Sequence, residues 1–237
     1  KDNYIRKREV ERIYQPSSAD AFILQDTDPN YRVMNFTPKD GPFNDALTSY
    51  HHKSIGGYHA AKLRRYNDII TNHLSVEGGI LGQVLQDYQQ TNSDSVLRAG
   101  LSGMKVYNML NTRYFILNGS RDPNQVQPVP FQNPVAMGNV WLVQNIQQVN
   151  SPDEEITALR SADLHRTAIV DYQIFEGAFA SQLEGFRYQA DPQAVISLTS
   201  FSPKHLVYDF NANTEQVAVF SEIYYNGGKG WNAYILS

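Results

Sequence analysis

Cysteine is absent from this 237-residue chain, which excludes disulfides, thiolate metal sites and cysteine nucleophiles. Long apolar runs are also missing, since no stretch approaches the roughly 18 to 20 residues that a membrane-spanning helix requires. The chain does not open on a basic stretch followed by an apolar one, as a secretory signal would. From these absences we expect the chain as given to be soluble.

Positive charge is scarce and scattered. The formal net charge is -4, and the basic residues cluster only at Arg6 to Arg8 with Arg12, and at Lys62 with Arg64 and Arg65. A protein that neutralises nucleic acid phosphates needs a wide basic face, so the sequence disfavours nucleic acid as a partner. The sequence also lacks the P-loop, the dinucleotide fingerprint and the G-x-S-x-G nucleophile elbow.

Hydrophobic periodicity predicts an α+β fold in the first part of the chain. Helical spacing of Leu63, Tyr66, Ile70 and Leu74 predicts one helix in the stretch 57–74, and further helices are expected within 79–90 and 95–110. Ser151 and Pro152 carry the signals of a helix N-terminus. Strands are expected at 31–36, 113–117, 140–149 and 167–171. The order predicts a split β-α-β-β-α-β arrangement with an enlarged first helical connection.

The pattern changes at about residue 181. Four short β-rich runs follow, separated by Ser-Pro, Asn and Gly-Gly turns, at 194–201, 205–212, 216–225 and 231–236. These runs are too few for a complete β-sandwich. We therefore predict an α+β domain over residues 1–180 and an incomplete β-sandwich over residues 181–237.

A segment rich in hydrogen-bond donors, residues 50–66, is the main candidate site. The Gly56-Gly57 pair would let the backbone approach a ligand closely, and the start of the following helix favours anions. We predict an anion or acidic-glycan site from the cationic and donor residues of the segment together with this pair: His51, His52, Lys53, Gly56, Gly57, His59, Lys62 and Arg65. The alternative is structural, with a solvated helix face, a simple turn and a capping histidine.

Metal and cofactor sites are not predicted. The spacing of His51, His52 and His59 matches no recognised metal motif and lacks a nearby carboxylate. Tyr224, Tyr225 and Trp231 form a candidate sugar-stacking platform. Their alternative role is in the core or in cross-strand pairs of the sandwich.

Five stretches together resemble the extracytoplasmic region of YfhO-like membrane proteins from Bacteroidetes. They run in order as YRVMNF, YHHKSIGGYHAAKLRRY, MLNTRYFIL, NPVAMGNVWLV and FSEIYYNGGKGWNAYI. The resemblance implies a multi-pass protein similar to lipid-linked sugar glycosyltransferases of the GT-C kind, with roles in glycosylating cell-envelope polymers. It also implies a location on the periplasmic face of the inner membrane. The chain departs from that family pattern in lacking its membrane helices, their catalytic acidic residue and the strands that follow the GW-x-A-Y segment.

Two functions are therefore expected. The first is a non-catalytic extracytoplasmic module of a membrane glycosyltransferase-like protein, joined to the membrane by helices outside this chain and contacting a glycan or polymer acceptor. The alternative is a free-standing periplasmic carbohydrate-binding or protein-interaction domain. We also expect self-association through the C-terminal strands, with residues 231–236 as an incompletely covered sheet edge.

Overall fold

A computed structural model describes residues 6–120, 122, 124–173, 191–224 and 230–235. The chain is a mixed helix and sheet protein, and the predicted α+β class is confirmed. The helices in these ranges are α1 Lys7–Ile13, α2 Ser18–Ile23, α3 Thr48–His51, α4 Arg64–Ile69, α5 Ser75–Thr91, α6 Asp94–Ser102, α7 Lys105–Met109 and α8 Pro152–Ser161. The strands are β1 Arg32–Asn35, β2 Thr112–Asn118, β3 Pro128–Gln132, β4 Val140–Val143, β5 Asn145–Val149, β6 Thr167–Asp171, β7 Val195–Ser202, β8 His205–Asn211 and β9 Val217–Phe220.

Buried side chains cover both faces of a three-stranded sheet with the order β1-β2-β3. Because successive strand residues point to opposite faces, Val33 packs with α2 and Met34 packs with the large helical layer. Strand β2 repeats this division, with Tyr114 and Ile116 on the α2 side and Phe115 on the helical side. The main core therefore lies between this sheet and helices α5 to α7.

A π-helical turn, Ile70–Leu74, joins α4 to α5 and makes one continuous helical stretch. The wider turn shifts the backbone pairing, so that the Ser75 N–H donates to the carbonyl of Ile70. The Tyr107 hydroxyl donates to the Leu74 carbonyl at 3.0 Å and thus satisfies an acceptor next to the turn. The side chain of His73, also buried, donates through Nε2 to the Ile156 carbonyl at 2.7 Å. These two bonds attach the π-helical turn to α7 and α8.

Strand pairing departs from the split order that the sequence predicts. Strand β1 pairs directly with β2 in parallel, so that no strand is inserted between them. Strand β5 pairs with β6 in a separate two-stranded sheet, with α8 as the crossover. The break lies at Gln144, where the N–H groups of Gln144 and Asn145 both donate to the Arg166 carbonyl. Strand β4, just before this break, pairs instead with β9.

The C-terminal strands form an antiparallel hairpin, β7-β8, and the pair β4-β9. Strand β9 is therefore hydrogen-bonded to a strand that precedes residue 180. The predicted boundary at 180/181 lies in the stretch 174–190, outside the described residues, and it stays a prediction.

The predicted strand at 231–236 is wrong for residues 231–235, which form no strand. Tyr234 and Ile235 there are 82% and 99% exposed, so the described part of the chain offers these two side chains no burial that would favour a strand. Within the described ranges, no helix has both the length and the apolar character needed to span a bilayer.

Candidate functional site

The donor-rich segment 50–66 lies along the outer edge of β1. The Val33 N–H donates to the Lys53 carbonyl at 2.9 Å, and the Ile55 N–H donates to the Val33 carbonyl at 3.0 Å. Ile55 itself is buried, and its carbonyl accepts a 2.6 Å hydrogen bond from the hydroxyl of Tyr66. The segment thus covers a sheet edge that would otherwise expose unpaired backbone groups.

His52 is a buried structural residue. Its Nε2 lies 2.9 Å from Asp20 Oδ1, and its side chain is 1% exposed. Asp20 also accepts hydrogen bonds from the backbone and hydroxyl of Ser17, the N-cap of α2. Burial alone would raise the pKa of Asp20, but the bonds from His52 and Ser17 lower it to about 2. The pair therefore fixes the start of α2 to the segment 50–66.

Asp20→Asn is expected to lower the free energy of unfolding at pH 7 by about 1–2 kcal/mol, because a neutral amide accepts weaker hydrogen bonds from Ser17 and His52. The pKa of Asp20 lies below its ordinary 3.8, so the carboxylate stabilises the fold above about pH 4. This contribution is lost as the pH falls from about 4 to about 2.

Urea titrations at pH 7 and at pH 3 measure this effect. Asp40→Asn is the matched control, because Asp40 is exposed, and its free energy of unfolding should change by less than about 0.5 kcal/mol. Equal losses for the two variants at pH 7 would contradict the role given to Asp20.

Lys53 connects the segment to the C-terminal hairpin. Its Nζ donates to the Pro29 carbonyl at 3.0 Å and to Asn30 Oδ1 at 2.8 Å. The same ammonium lies 3.2 Å from the ring centroid of Phe201 in β7, a cation–π contact. Desolvation lowers the pKa of Lys53 to about 8, against the opposing field of Glu222. Lys53 therefore joins the turn before β1 to strand β7.

Three predicted site residues converge on the stretch Pro42 to Phe43. The Gly57 N–H donates to the Pro42 carbonyl at 2.8 Å, and Gly56 lies against the same carbonyl. Lys62 Nζ donates to the Phe43 carbonyl at 2.9 Å and lies 5.6 Å from the centre of its ring. The close approach that the glycines permit is therefore made to the protein's own backbone.

The remaining members of the segment point elsewhere. Helix α4 begins at Arg64, later than predicted, so His59 and Lys62 precede the helix rather than lying in it. His59 Nδ1 accepts the Ala61 N–H at 3.1 Å, and Arg65 lies 3.8 Å from Glu155 of α8. The His51 ring is 5.0 Å from that of Tyr50. The structure thus divides the eight predicted residues among several neighbours, and anion binding by them stays a prediction.

The candidate sugar-stacking residues lie near the end of the described chain. Tyr224 is 52% exposed and Trp231 is 38% exposed, while Tyr225 lies outside the described residues. Exposure of the first two rings is compatible with either contact to a ligand or a place at the rim of the sheet. Their role as a platform stays a prediction.

Two polar contacts between distant elements have no signal in the sequence. Arg32 of β1 forms a 3.2 Å ion pair with Glu222, which also accepts a hydrogen bond from Asn30. Glu77 of α5 is buried, and its carboxylate accepts the N–H groups of Val106 and Tyr107 at 3.0 to 3.1 Å. Both contacts depend on chain pairing, which no local pattern carries.

An open groove of about 550 Å3 lies between β5 and α8. It is lined by polar residues of the two elements, namely Gln147, Gln148, Asp153, Glu154, Thr157 and Ser161, together with Val149 and Ala158. Glu154 also accepts the Asn150 N–H at 2.9 Å, which fixes one carboxylate at the rim. Amide and carboxylate side chains can pair with hydroxyl groups of a ligand.

Metal-binding groups of three or more histidine, aspartate or glutamate side chains are not found in the part of the chain that the structure describes. Comparison of the chain with protein-family models, with curated proteins and with solved structures gives no match. The YfhO-like assignment accordingly stays a prediction from the sequence motifs.

Proposed function

We propose that this chain is a non-catalytic extracytoplasmic module of a membrane glycosyltransferase-like protein, resembling YfhO, that holds a glycan or polymer acceptor in the periplasm. The observation that carries the proposal is the use of the segment 50–66, which bears the strongest motif of the resemblance. His52, Lys53 and Lys62 each donate to a group of the protein itself. A motif used in this way supports an architectural role for the segment rather than a catalytic one.

The groove between β5 and α8 supports acceptor binding. Its volume of about 550 Å3 suits one or two sugar rings, and its amides and carboxylates can pair with sugar hydroxyls. The purified chain is expected to bind neutral oligosaccharides there and to transfer no sugar from a lipid-linked donor. Oligosaccharide binding is measured by the changes in the NMR chemical shifts of Gln147 and Gln148 as the oligosaccharide is added. Sugar transfer is measured with a radiolabelled lipid-linked donor.

Turnover by the purified chain alone would contradict a non-catalytic role. The reading frame of the gene provides a second test, because the proposal requires a series of hydrophobic helices upstream of this segment. A secretory signal immediately upstream would instead support the second candidate, a free-standing periplasmic carbohydrate-binding or protein-interaction domain. Exposed aromatic rings are common at carbohydrate and protein contacts, so Tyr224 and Trp231 are the residues to substitute in testing that candidate.

A further inference from the structure

The hairpin β7-β8 has one apolar face that is only partly covered. In the observed register, Ile196 faces Phe210, Leu198 faces Tyr208 and Phe201 faces Leu206. A bulge between Leu198 and Ser200 shifts the alternation of β7 by one residue, so that all six apolar side chains share one face. Phe210 is 55% exposed, and the other five are half-buried. A two-stranded sheet with such a face is marginal by itself and gains stability from further strands.

The outer edge of β8 is open in the part of the chain that the structure describes, where β8 pairs only with β7. The Val207 carbonyl points toward β7, since it accepts a 3.2 Å hydrogen bond from the Thr199 hydroxyl. Backbone groups alternate sides along a strand, so those of Leu206 and Tyr208 point to the open edge. The seven residues of β8 include no proline, lysine or arginine, the residues that commonly protect an edge from pairing.

We propose that β8 is a dimerisation strand, which pairs in antiparallel register with β8 of a second copy about a two-fold axis at Val207. This register makes four hydrogen bonds, because Leu206 of each copy exchanges an N–H and a C=O with Tyr208 of the other. The two Val207 residues then face each other as a non-hydrogen-bonded pair, with their Cα atoms about 4.5 Å apart. The surface is self-complementary, as a two-fold interface requires.

Side-chain chemistry supports this register on both faces of the joined sheet. On the polar face, exposed His205 of each copy lies opposite exposed Asp209 of the other, so two donor–acceptor pairs flank the central valines. On the apolar face, Leu206 lies opposite Tyr208, and the joined sheet brings the two partly covered faces side by side. A shift of the register by two residues would lose both His–Asp pairs.

Cysteine placement tests the register directly, because the natural chain contains no cysteine. Under mild oxidation Val207→Cys is expected to give a disulfide-linked dimer, since a Cα separation of about 4.5 Å lies within the range for disulfides. Asp209→Cys is the matched control and should remain uncrosslinked, because position 209 faces His205 of the other copy rather than position 209. Equal crosslinking of the two variants, or none in Val207→Cys, would overturn the register.

Charge exchange tests the dimer itself, by sedimentation velocity on the full chain over a concentration series. His205→Asp places a carboxylate opposite Asp209 of the other copy in both symmetry-related pairs. The repulsion should weaken dimerisation about tenfold. Adding Asp209→Lys places opposite charges face to face at both pairs, and the double variant should return to within about threefold of the parent. A monomeric parent at every concentration, or a double variant no stronger than His205→Asp, would overturn the proposal. Neither result bears on acceptor binding in the groove, so the two proposals fail independently.

Discussion

At pH 5, Glu77→Ala is expected to lower the free energy of unfolding by about 3 kcal/mol or more. Glu77 is buried, and its carboxylate accepts the N–H of Val106 and that of Tyr107, in the first turn of α7. Alanine would leave both donors buried without a partner and would open a cavity in the helical layer.

The same carboxyl group makes stability depend on pH. Burial raises the pKa of Glu77 from its ordinary 4.5 to about 7, against the opposing effect of the Val106 and Tyr107 N–H groups. Because the folded protein holds the proton more tightly than the unfolded chain, the contribution of Glu77 falls as the pH rises from about 4.5 to about 7. At 1.36 kcal/mol per pKa unit, the fall is about 3 kcal/mol.

Glu77→Gln isolates this effect, since glutamine does not titrate. Burial lowers the pKa of His73, and this residue acts in the opposite direction, because its contribution is lost as the pH falls below about 6.5. Because His73 is present in both proteins, its contribution cancels in the difference between the unfolding free energies of the parent and Glu77→Gln. This difference should therefore decrease between pH 5 and about pH 7 and level off between pH 7 and pH 8.

Guanidinium titrations of the parent and the Glu77 variants across that range provide the measurement. Glu154→Ala serves as the control for Glu77→Ala, because Glu154 also accepts a backbone N–H but is exposed, and it should cost about 1 kcal/mol or less. A difference between the parent and Glu77→Gln that stays constant with pH would show that the Glu77 carboxyl does not titrate in this window.

Local signals in the sequence predicted the elements of secondary structure better than their pairing. Ser151 caps α8 through a hydrogen bond from the Glu154 N–H, as its position before Pro152 predicts. The predicted helical face is confirmed at Ile70 and Leu74, which are buried, whereas Leu63 precedes the helix and is 39% exposed. Caps and periodicity act over a few residues, and those signals are present in the sequence itself.

Strand pairing required information that short stretches do not carry. The direct β1-β2 contact brings together residues about 80 positions apart, and β4 finds its partner in β9 rather than in a neighbour along the chain. Strands of four or five residues with similar apolar content can join a sheet in several orders. The choice here is made by contacts such as the two bonds to the Arg166 carbonyl, which separate β4 from β5.

The candidate site shows the same division between local and distant information. The density of donors in residues 50–66 is visible in the sequence, but their acceptors are not. Asp20, the partner of His52, lies 32 residues away, and Glu155, which faces Arg65, lies in another helix. A cluster of donors in sequence therefore predicts polar contacts, without fixing whether a ligand or the protein supplies the acceptor.

The Gly56-Gly57 turn gives the clearest example of an acceptor supplied by the protein. A Cβ atom on Gly56 would overlap the Pro42 carbonyl oxygen, and the atom that must move belongs to the backbone. The same oxygen accepts the Gly57 N–H at 2.8 Å. Gly57 has a φ of +117°, which side-chain-bearing residues rarely adopt. The turn therefore has little freedom to adjust.

Gly56→Ala is accordingly expected to lower the free energy of unfolding by about 3 kcal/mol, through overpacking and loss of the Gly57 hydrogen bond. Gly79→Ala is the matched control, because nothing lies within 4 Å of its added Cβ and the residue is exposed on α5. That variant should gain about 0.5–1 kcal/mol from the higher helix propensity of alanine. Thermal and urea unfolding of the two variants measure the contrast in sign. If Gly56→Ala loses less than about 0.5 kcal/mol, the Pro42 carbonyl yields to the methyl group, and the turn does not hold the segment 50–66 against the sheet.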